Sequence, residues 1–211
     1  MAAILMNLQR TVIAAFVLAL VLFAVIMLVA GADWSATLGD RGFWAFAVRW
    51  LHIIAGIMWI GLLYYFNFVA VIEMPKIPDE QKPALSKFIT PAALFWFRWA
   101  AMATIILGIV LAALNGYLVD ALTLGATTHF ASPSITLIGI GMWLGAIMWF
   151  NVWFVIWPNQ QKALNIGNKY PNLTKEQKAA AARTAVLFSR TNVILSVPML
   201  FAMAGASHLG V

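Results

Sequence analysis

One membrane-helix pattern occurs twice in this sequence, at an offset of 84 positions. Met58, Trp59, Gly61, Phe66, Asn67, Val71 and Ile72 recur as Met142, Trp143, Gly145, Phe150, Asn151, Val155 and Ile156. Paired Trp, Gly and Asn residues at one fixed offset go beyond what shared hydrophobicity produces. Each copy is followed by a polar stretch containing Glu-Gln-Lys (Glu80 to Lys82, Glu176 to Lys178). A further apolar run then enters through an Arg, as Leu94-Phe95-Trp96-Phe97-Arg98 and as Leu187-Phe188-Ser189-Arg190. The pattern reads as a duplicated helical hairpin.

With 64% hydrophobic and 9% charged residues, the chain falls outside the range of ordinary soluble domains. A membrane helix needs about 20 mostly apolar residues. Five segments meet that need, over 11–31, 46–72, 92–116, 134–157 and 185–208. The first ends near the small residues Val29-Ala30-Gly31-Ala32, but its apolar run is longer than a signal core, so a retained helix is expected. The expected fold is an all-α integral membrane protein with five transmembrane helices. A duplicated helical hairpin forms a four-helix bundle, and one N-terminal helix is added to it. The expected divisions are 1–42, 43–133 and 134–211.

Charge placement predicts orientation. Arg10 precedes the first run, Lys76, Lys82 and Lys87 lie between the second and third, and Lys162, Lys169, Lys175, Lys178 and Arg183 lie between the fourth and fifth. The other two connections carry Arg41 alone beside Asp33, Asp40 and Asp120. Lys and Arg mark the cytoplasmic side of a bacterial inner membrane, which predicts a cytoplasmic N-terminus and a periplasmic C-terminus. The net charge of +6 is then a topology signal that calls for a lipid bilayer and no nucleic acid. The second and fourth helices descend in the same sense, which makes the hairpins parallel repeats. Gly141 and Gly145 form a small-xxx-small face, Pro198 is expected to kink the fifth helix, and Thr174 with Gln177 has the spacing of a capping box. Cys is absent, so disulfides, thiolate metal sites and the c-type haem attachment motif are excluded.

All three histidines fall toward the predicted outer face: His52 in the second helix, His129 in a loop, and His208 at the end of the fifth. An imidazole held in one orientation is a ready axial ligand for haem iron. Gly56 at i+4 from His52 leaves room for a flat macrocycle, Arg49 at i−3 can pair with a propionate, and Trp59 continues the stripe at i+7. The residues equally allow His52 to hydrogen-bond a neighbouring helix and Gly56 to serve packing. His208 is the candidate second ligand because a helix positions a group better than a loop does. The second repeat has Thr136 where the first has His52, so such a site breaks the symmetry of the duplication.

A second polar set, Asn67, Arg98, Asn151, Arg190 and Asn192 with Tyr64 and Tyr65, lies toward the Lys-rich side. The Asn residues suit hydrogen bonds between helices, worth about 1 kcal/mol each. The Arg residues suit snorkelling to lipid phosphates or, alternatively, an anion or quinone-headgroup pocket. Without a clustered Met-His motif, the methionines read as core. No phosphate loop, nucleophile triad or carboxylate pair is present.

The stretch from Trp50 through His52, Gly56 and Trp59 to Gly61, continuing through Tyr64, Tyr65, Phe66 and Asn67, resembles the membrane part of the PuuD-type membrane-bound urate hydroxylases. Met148-Trp149-Phe150-Asn151 and Trp157-Pro158 extend the resemblance. Similar His-x3-Gly-x2-Trp-x-Gly helices occur in copper-resistance D-type proteins and in HemJ-type protoporphyrinogen oxidases, the latter haem-binding. The resemblance implies a membrane redox protein that passes electrons toward the respiratory chain, with His52 as its principal functional residue. Those hydroxylases carry a cytochrome c domain after the membrane part. This sequence has no Cys and closes at Val211, so a haem c is expected on a separate polypeptide and urate oxidation is not expected of this chain alone.

Residues and resemblance together predict a haem b held by His52 and His208, with Arg49, Gly56 and Trp59 around it, and a quinone as a further candidate ligand. The expected partners are a cytochrome c, a terminal oxidase or other subunits of a membrane complex. Two other readings stand beside it. A cofactor-free accessory subunit of a respiratory or photosynthetic complex would give no redox spectrum. A small transporter would break a helix at mid-membrane, for which Pro198 is the one sequence hint.

Overall fold

The computed structural model describes residues 2–209; Gly210 and Val211, the end of the expected second repeat, lie outside them. Regular structure among the described residues is entirely helical. Five helical stretches are long and apolar enough to cross a membrane: α1 Leu8–Val29, α2 Arg41–Lys76, α3 Lys82–Leu114, α4 Pro133–Leu164 and α5 Lys175–His208. This is the expected all-α membrane architecture. All five extend past the apolar windows of the sequence, α3, α4 and α5 chiefly at their Lys-rich ends. There, amphipathic turns continue the apolar run, as in Trp157–Leu164 at the end of α4.

The chain divides into two units between Trp44 and Ala45. In the first, the Asn7 side chain accepts from the Arg10 amide and starts α1, and Asp33 caps the short helix Trp34–Gly39. Phe23 stacks edge-on to Trp34 at 5.9 Å and lies 5.3 Å from Phe43. Of the α1 side chains only Met27 is buried, and the rest of its surface is apolar enough for hydrocarbon.

The second unit contains the repeats. Its core joins Trp59 and Leu63 of α2, Phe97 and Ala101 of α3, Met148 and Val152 of α4, and Ala185 and Met199 of α5. Small residues bring α4 and α5 together: Met203 rests on Gly141 and the Met199 sulfur faces Gly145. At one end of that contact Ser134 Oγ donates to the Ala206 carbonyl. Gly139 accommodates the short helix Leu118–Leu122, since a Cβ there would run into the Ala121 carbonyl oxygen. The capping box forms as expected. Gln177 N donates to Thr174 Oγ1 at 3.2 Å, Thr174 N donates to Gln177 Oε1 at 3.0 Å, and α5 runs unbroken from there through Pro198 to His208.

Both repeats depart from α-helical geometry at the same place. Tyr65–Ala70 of α2 and Asn151–Ile156 of α4 are π-helical turns, so the duplicated Asn67 and Asn151 both lie in wide turns. Such turns misalign backbone carbonyls and recur at functional sites. Side-chain amides meet carbonyls of the α-helical turn just before each one. Asn67 Nδ2 donates to Leu63 O at 2.9 Å and to Ser189 Oγ at 2.7 Å. Asn151 Nδ2 donates to Asn192 Oδ1 at 2.8 Å, while Asn192 Nδ2 donates to Met148 O at 3.0 Å. The paired Asn residues therefore tie α2 and α4 to one face of α5, as the interhelical reading of the sequence anticipates.

Candidate cofactor site

His52 lies on α2 opposite a smooth patch of α3. Its Nδ1 is 2.9 Å from the Thr104 carbonyl oxygen. A carbonyl only accepts, so Nδ1 carries the proton and donates, and neutral His52 keeps Nε2 as an unprotonated donor atom for a metal. Gly108, one turn further along α3, lies beside the same ring: a Cβ there would come within 3.1 Å of Cε1 and 3.4 Å of Nδ1. The ring is thus held by one hydrogen bond and by a glycine. The hydrogen bond to a neighbouring helix that the residues equally allow for His52 is present, and it is the kind of bond that orients a metal-ligating imidazole.

His52 lines a cavity of about 650 Å³ to which all four repeat helices contribute side chains. Its volume falls in the range of small-molecule and cofactor sites, roughly 300–1,000 Å³. Gly56, Trp59 and Tyr64 of α2 line it, as do Met142 and Gly145 of α4 and Met199 and Met203 of α5. Its few polar groups are mostly spent. Thr104 Oγ1 donates to Ala100 O at 2.8 Å, Trp143 Nε1 donates to Leu122 O at 3.0 Å, and Tyr64 OH pairs with Ser196 Oγ at 3.0 Å. Trp59 Nε1 is the exception, a donor buried with its residue only 1% exposed and without a partner. Burying such a donor unpaired costs about 1–3 kcal/mol.

Gly56 bears on the purpose of the space. A Cβ on it would meet only Thr104 Cγ2, at an ordinary 3.9 Å, and one on Gly61 would meet nothing within 4 Å. Neither glycine is required for helix-to-helix contact, so what their missing side chains create is volume on the cavity side.

The structure brings together three of the five residues expected around a cofactor: His52, Gly56 and Trp59. Arg49 and His208 do not line the cavity. The charge of Arg49 acts on Tyr117 in the connection after α3, where burial raises the phenol pKa and Arg49 offsets part of that rise. His208 is exposed and donates Nδ1–H to Ala204 O of its own helix, 2.9 Å away. His129 occupies a left-handed loop conformation with φ 52°. In place of a second imidazole the cavity has three thioethers. The sequence signal for two of them is the i, i+4 spacing of Met199 and Met203 opposite Gly145 and Gly141, legible only once α5 is known to pack on α4. Among the described residues no three His, Asp or Glu side chains converge. The donor set in the cavity is therefore one imidazole with thioethers, which suits haem iron or another soft-tolerant metal.

A second cavity, about 250 Å³, lies toward the Lys-rich end and is lined by Tyr65, Thr90, Gln160 and Ser189 among apolar side chains. It is where the quinone alternative would find hydrogen-bonding groups.

Residues 109–211 match the family model described as urate oxidase N-terminal. The match supports a urate-oxidase-related origin for the end of α3, the loop after it, α4 and α5. It covers slightly under half of the chain. Met142, Gly145, Met199 and Met203 fall inside it, whereas His52, Gly56 and Trp59 precede it. No curated protein and no solved structure matches the chain.

Proposed function

We propose that this chain holds a haem b in the α2–α5 cavity, with His52 Nε2 as an axial ligand. It would carry electrons within a bacterial inner membrane toward a cytochrome c or a terminal oxidase. The observation that carries this reading is the Nδ1–H bond from His52 to Thr104 O, which fixes the tautomer of an imidazole lining a large apolar cavity. The urate oxidase N-terminal match and the PuuD-type resemblance of residues 50–67 support a redox role from a separate direction. In PuuD-type terms residues 50–67 and 148–158 correspond to the membrane part.

When bound, the haem supplies a one-electron iron couple. The chain's own residues do the rest. Thr104 O and Gly108 keep the imidazole in one plane and one tautomer. Gly56 and Gly61 leave room along α2 for a flat ring. Met199 and Met203 bring thioether sulfur to the α5 wall, and we take one of them, in preference to His208, as the second ligand. Thioether ligation and apolar burial both raise a haem potential, toward the range of Met/His-ligated cytochromes. The Lys distribution supports a cytoplasmic N-terminus, which puts the cavity nearer the periplasmic side.

The test is a reduced-minus-oxidised visible spectrum and a pyridine haemochrome assay on detergent-purified protein, beside His52→Ala. The expected result is about one b-type haem per chain, lost in a variant that still elutes as a monodisperse species. Normal haem content in His52→Ala sinks the ligand assignment. A flat spectrum from folded wild-type protein sinks the haem, and turns the question to the complex in which a cofactor-free subunit would sit.

A further inference from the structure

The duplicated Arg residues have unlike surroundings. Arg190 is exposed on α5, whereas its counterpart Arg98 on α3 is half-buried among indoles. The Arg98 guanidinium carbon is 3.8 Å from the ring centroid of Trp157, 5.1 Å from that of Trp153 and 5.9 Å from that of Trp99. Trp99 and Trp153 meet edge to face at 5.4 Å and close one side of the enclosure. Nε and Nη1 are shut in and have no hydrogen-bond partner, which leaves Nη2 as the open edge of the guanidinium. Trp153 Nε1 is a further buried donor without a partner.

Ring faces attract the cation but leave its net charge in place. The ion pairs of Lys76 with Glu73 and of Lys82 with Asp79 lie elsewhere, in the connection between α2 and α3. The cluster is therefore rich in donors, positively charged and without an acceptor, inside a span where a lone charge is costly. Its place on α4 says which anion is at hand. Trp157 opens the amphipathic end of α4, which carries Lys162, so the cluster lies toward the Lys-rich end of that helix. Around it Phe95, Trp96, Trp99 and Phe154 are exposed and apolar, a surface for acyl chains.

The geometry points to Arg98, walled by Trp99, Trp153 and Trp157, as the binding site for the phosphate of an anionic phospholipid. Nη2 is the part of the guanidinium that a phosphate oxygen can reach, and its contact there is charge-assisted beside tryptophan walls that hold water off. The site does not depend on the haem reading, since none of these four residues lines the His52 cavity.

The test is tryptophan-fluorescence quenching by brominated phosphatidylglycerol in detergent micelles. Brominated phosphatidylcholine, inorganic phosphate, and the variants Arg98→Gln, Arg98→Lys and Arg190→Gln serve as comparisons. Phosphatidylglycerol is expected to quench the wild type at lower concentration than phosphatidylcholine does. Arg98→Gln is expected to weaken that preference by about tenfold or more, the scale of a lost charge-assisted hydrogen bond. Arg98→Lys should lose part of it, and Arg190→Gln none. Inorganic phosphate should fail to compete; competition at millimolar concentration would make the occupant a free anion and overturn the lipid assignment. Equal quenching by the two lipids in the wild type overturns the proposal without recourse to any variant. So does an unchanged preference in folded Arg98→Gln, or an equal loss in Arg190→Gln.

Discussion

His52 Nδ1 and the Thr104 carbonyl oxygen are 2.9 Å apart, across the contact between α2 and α3. That carbonyl belongs to a helix and is already near its own helical donor, so it serves as a second acceptor lone pair directed at a ring from another helix. The bond does two things at once. It satisfies a polar group inside a membrane span, and it determines which imidazole nitrogen is left for a ligand.

Gly108→Ala tests whether that orientation matters. The new Cβ would lie 3.1 Å from His52 Cε1 and push the ring off its acceptor. Alanine favours a helix over glycine by about 1 kcal/mol, so α3 itself should be no less stable. Haem affinity should fall about tenfold or more, the usual scale for disturbing the partner of a metal-bound histidine. Titration of apo-protein with hemin measures it, and unchanged affinity would show that the ring needs no such support.

Met199→Leu and Met203→Leu separate thioether ligation from packing. Both are volume-conserving changes that should cost less than about 1.5 kcal/mol in stability. One of them should keep the haem but lower its midpoint potential by on the order of 0.1 V, within the ~0.8 V range that axial ligands span. His208→Ala should leave the potential where it is. A shift with His208→Ala and none with either methionine, or with both together, would return the second ligand to His208.

Asn192 is fully buried and holds α4 at two points, through Asn151 Nδ2 and the Met148 carbonyl. Asn192→Ala leaves the Met148 carbonyl, just before the wide turn, without that donor and the Asn151 amide without its acceptor. A loss of about 1–3 kcal/mol is expected, seen as a lower unfolding temperature by tryptophan fluorescence. Asn159→Ala, which removes only a bond to Val155 O within one helix, should lower it less.

Two glycines should respond in opposite directions. Gly139→Ala collides with the Ala121 carbonyl and should destabilise by about 1–3 kcal/mol. Gly61→Ala meets nothing within 4 Å and should stabilise α2 by about 0.5–1 kcal/mol while it narrows the cavity. A thermal shift of the same sign in both would show that this packing account is wrong.

Much of this architecture was legible before any coordinates. Long apolar runs must hydrogen-bond internally in hydrocarbon, so five of them imply five helices. The seven repeated identities then marked the two wide-turn helices as equivalents, and Thr174 with Gln177 marked where α5 begins. The i, i+4 and i+7 spacing correctly grouped His52, Gly56 and Trp59 on one face, because helical periodicity is a local property. It also assigned Arg49 to that face, but the cavity closes before reaching it.

The pairing of faces from distant helices was not legible. Membrane helices have little hydrophobic drive to choose one another, and small steric and polar details select the contact. Gly108 under the His52 ring, Met199 and Met203 on the glycines of α4, and Trp157 against Arg98 each join residues far apart in sequence. The π-helical turns at Asn67 and Asn151 each shift the remainder of their helix by one residue, which no repeating pattern announces. By itself the sequence determined the class, the spans and the repeat, since these depend on composition and local period. The tertiary structure alone decided which carbonyl meets His52, which sulfurs share its cavity and which indoles meet Arg98, because that depends on how closely particular side chains let the helices approach.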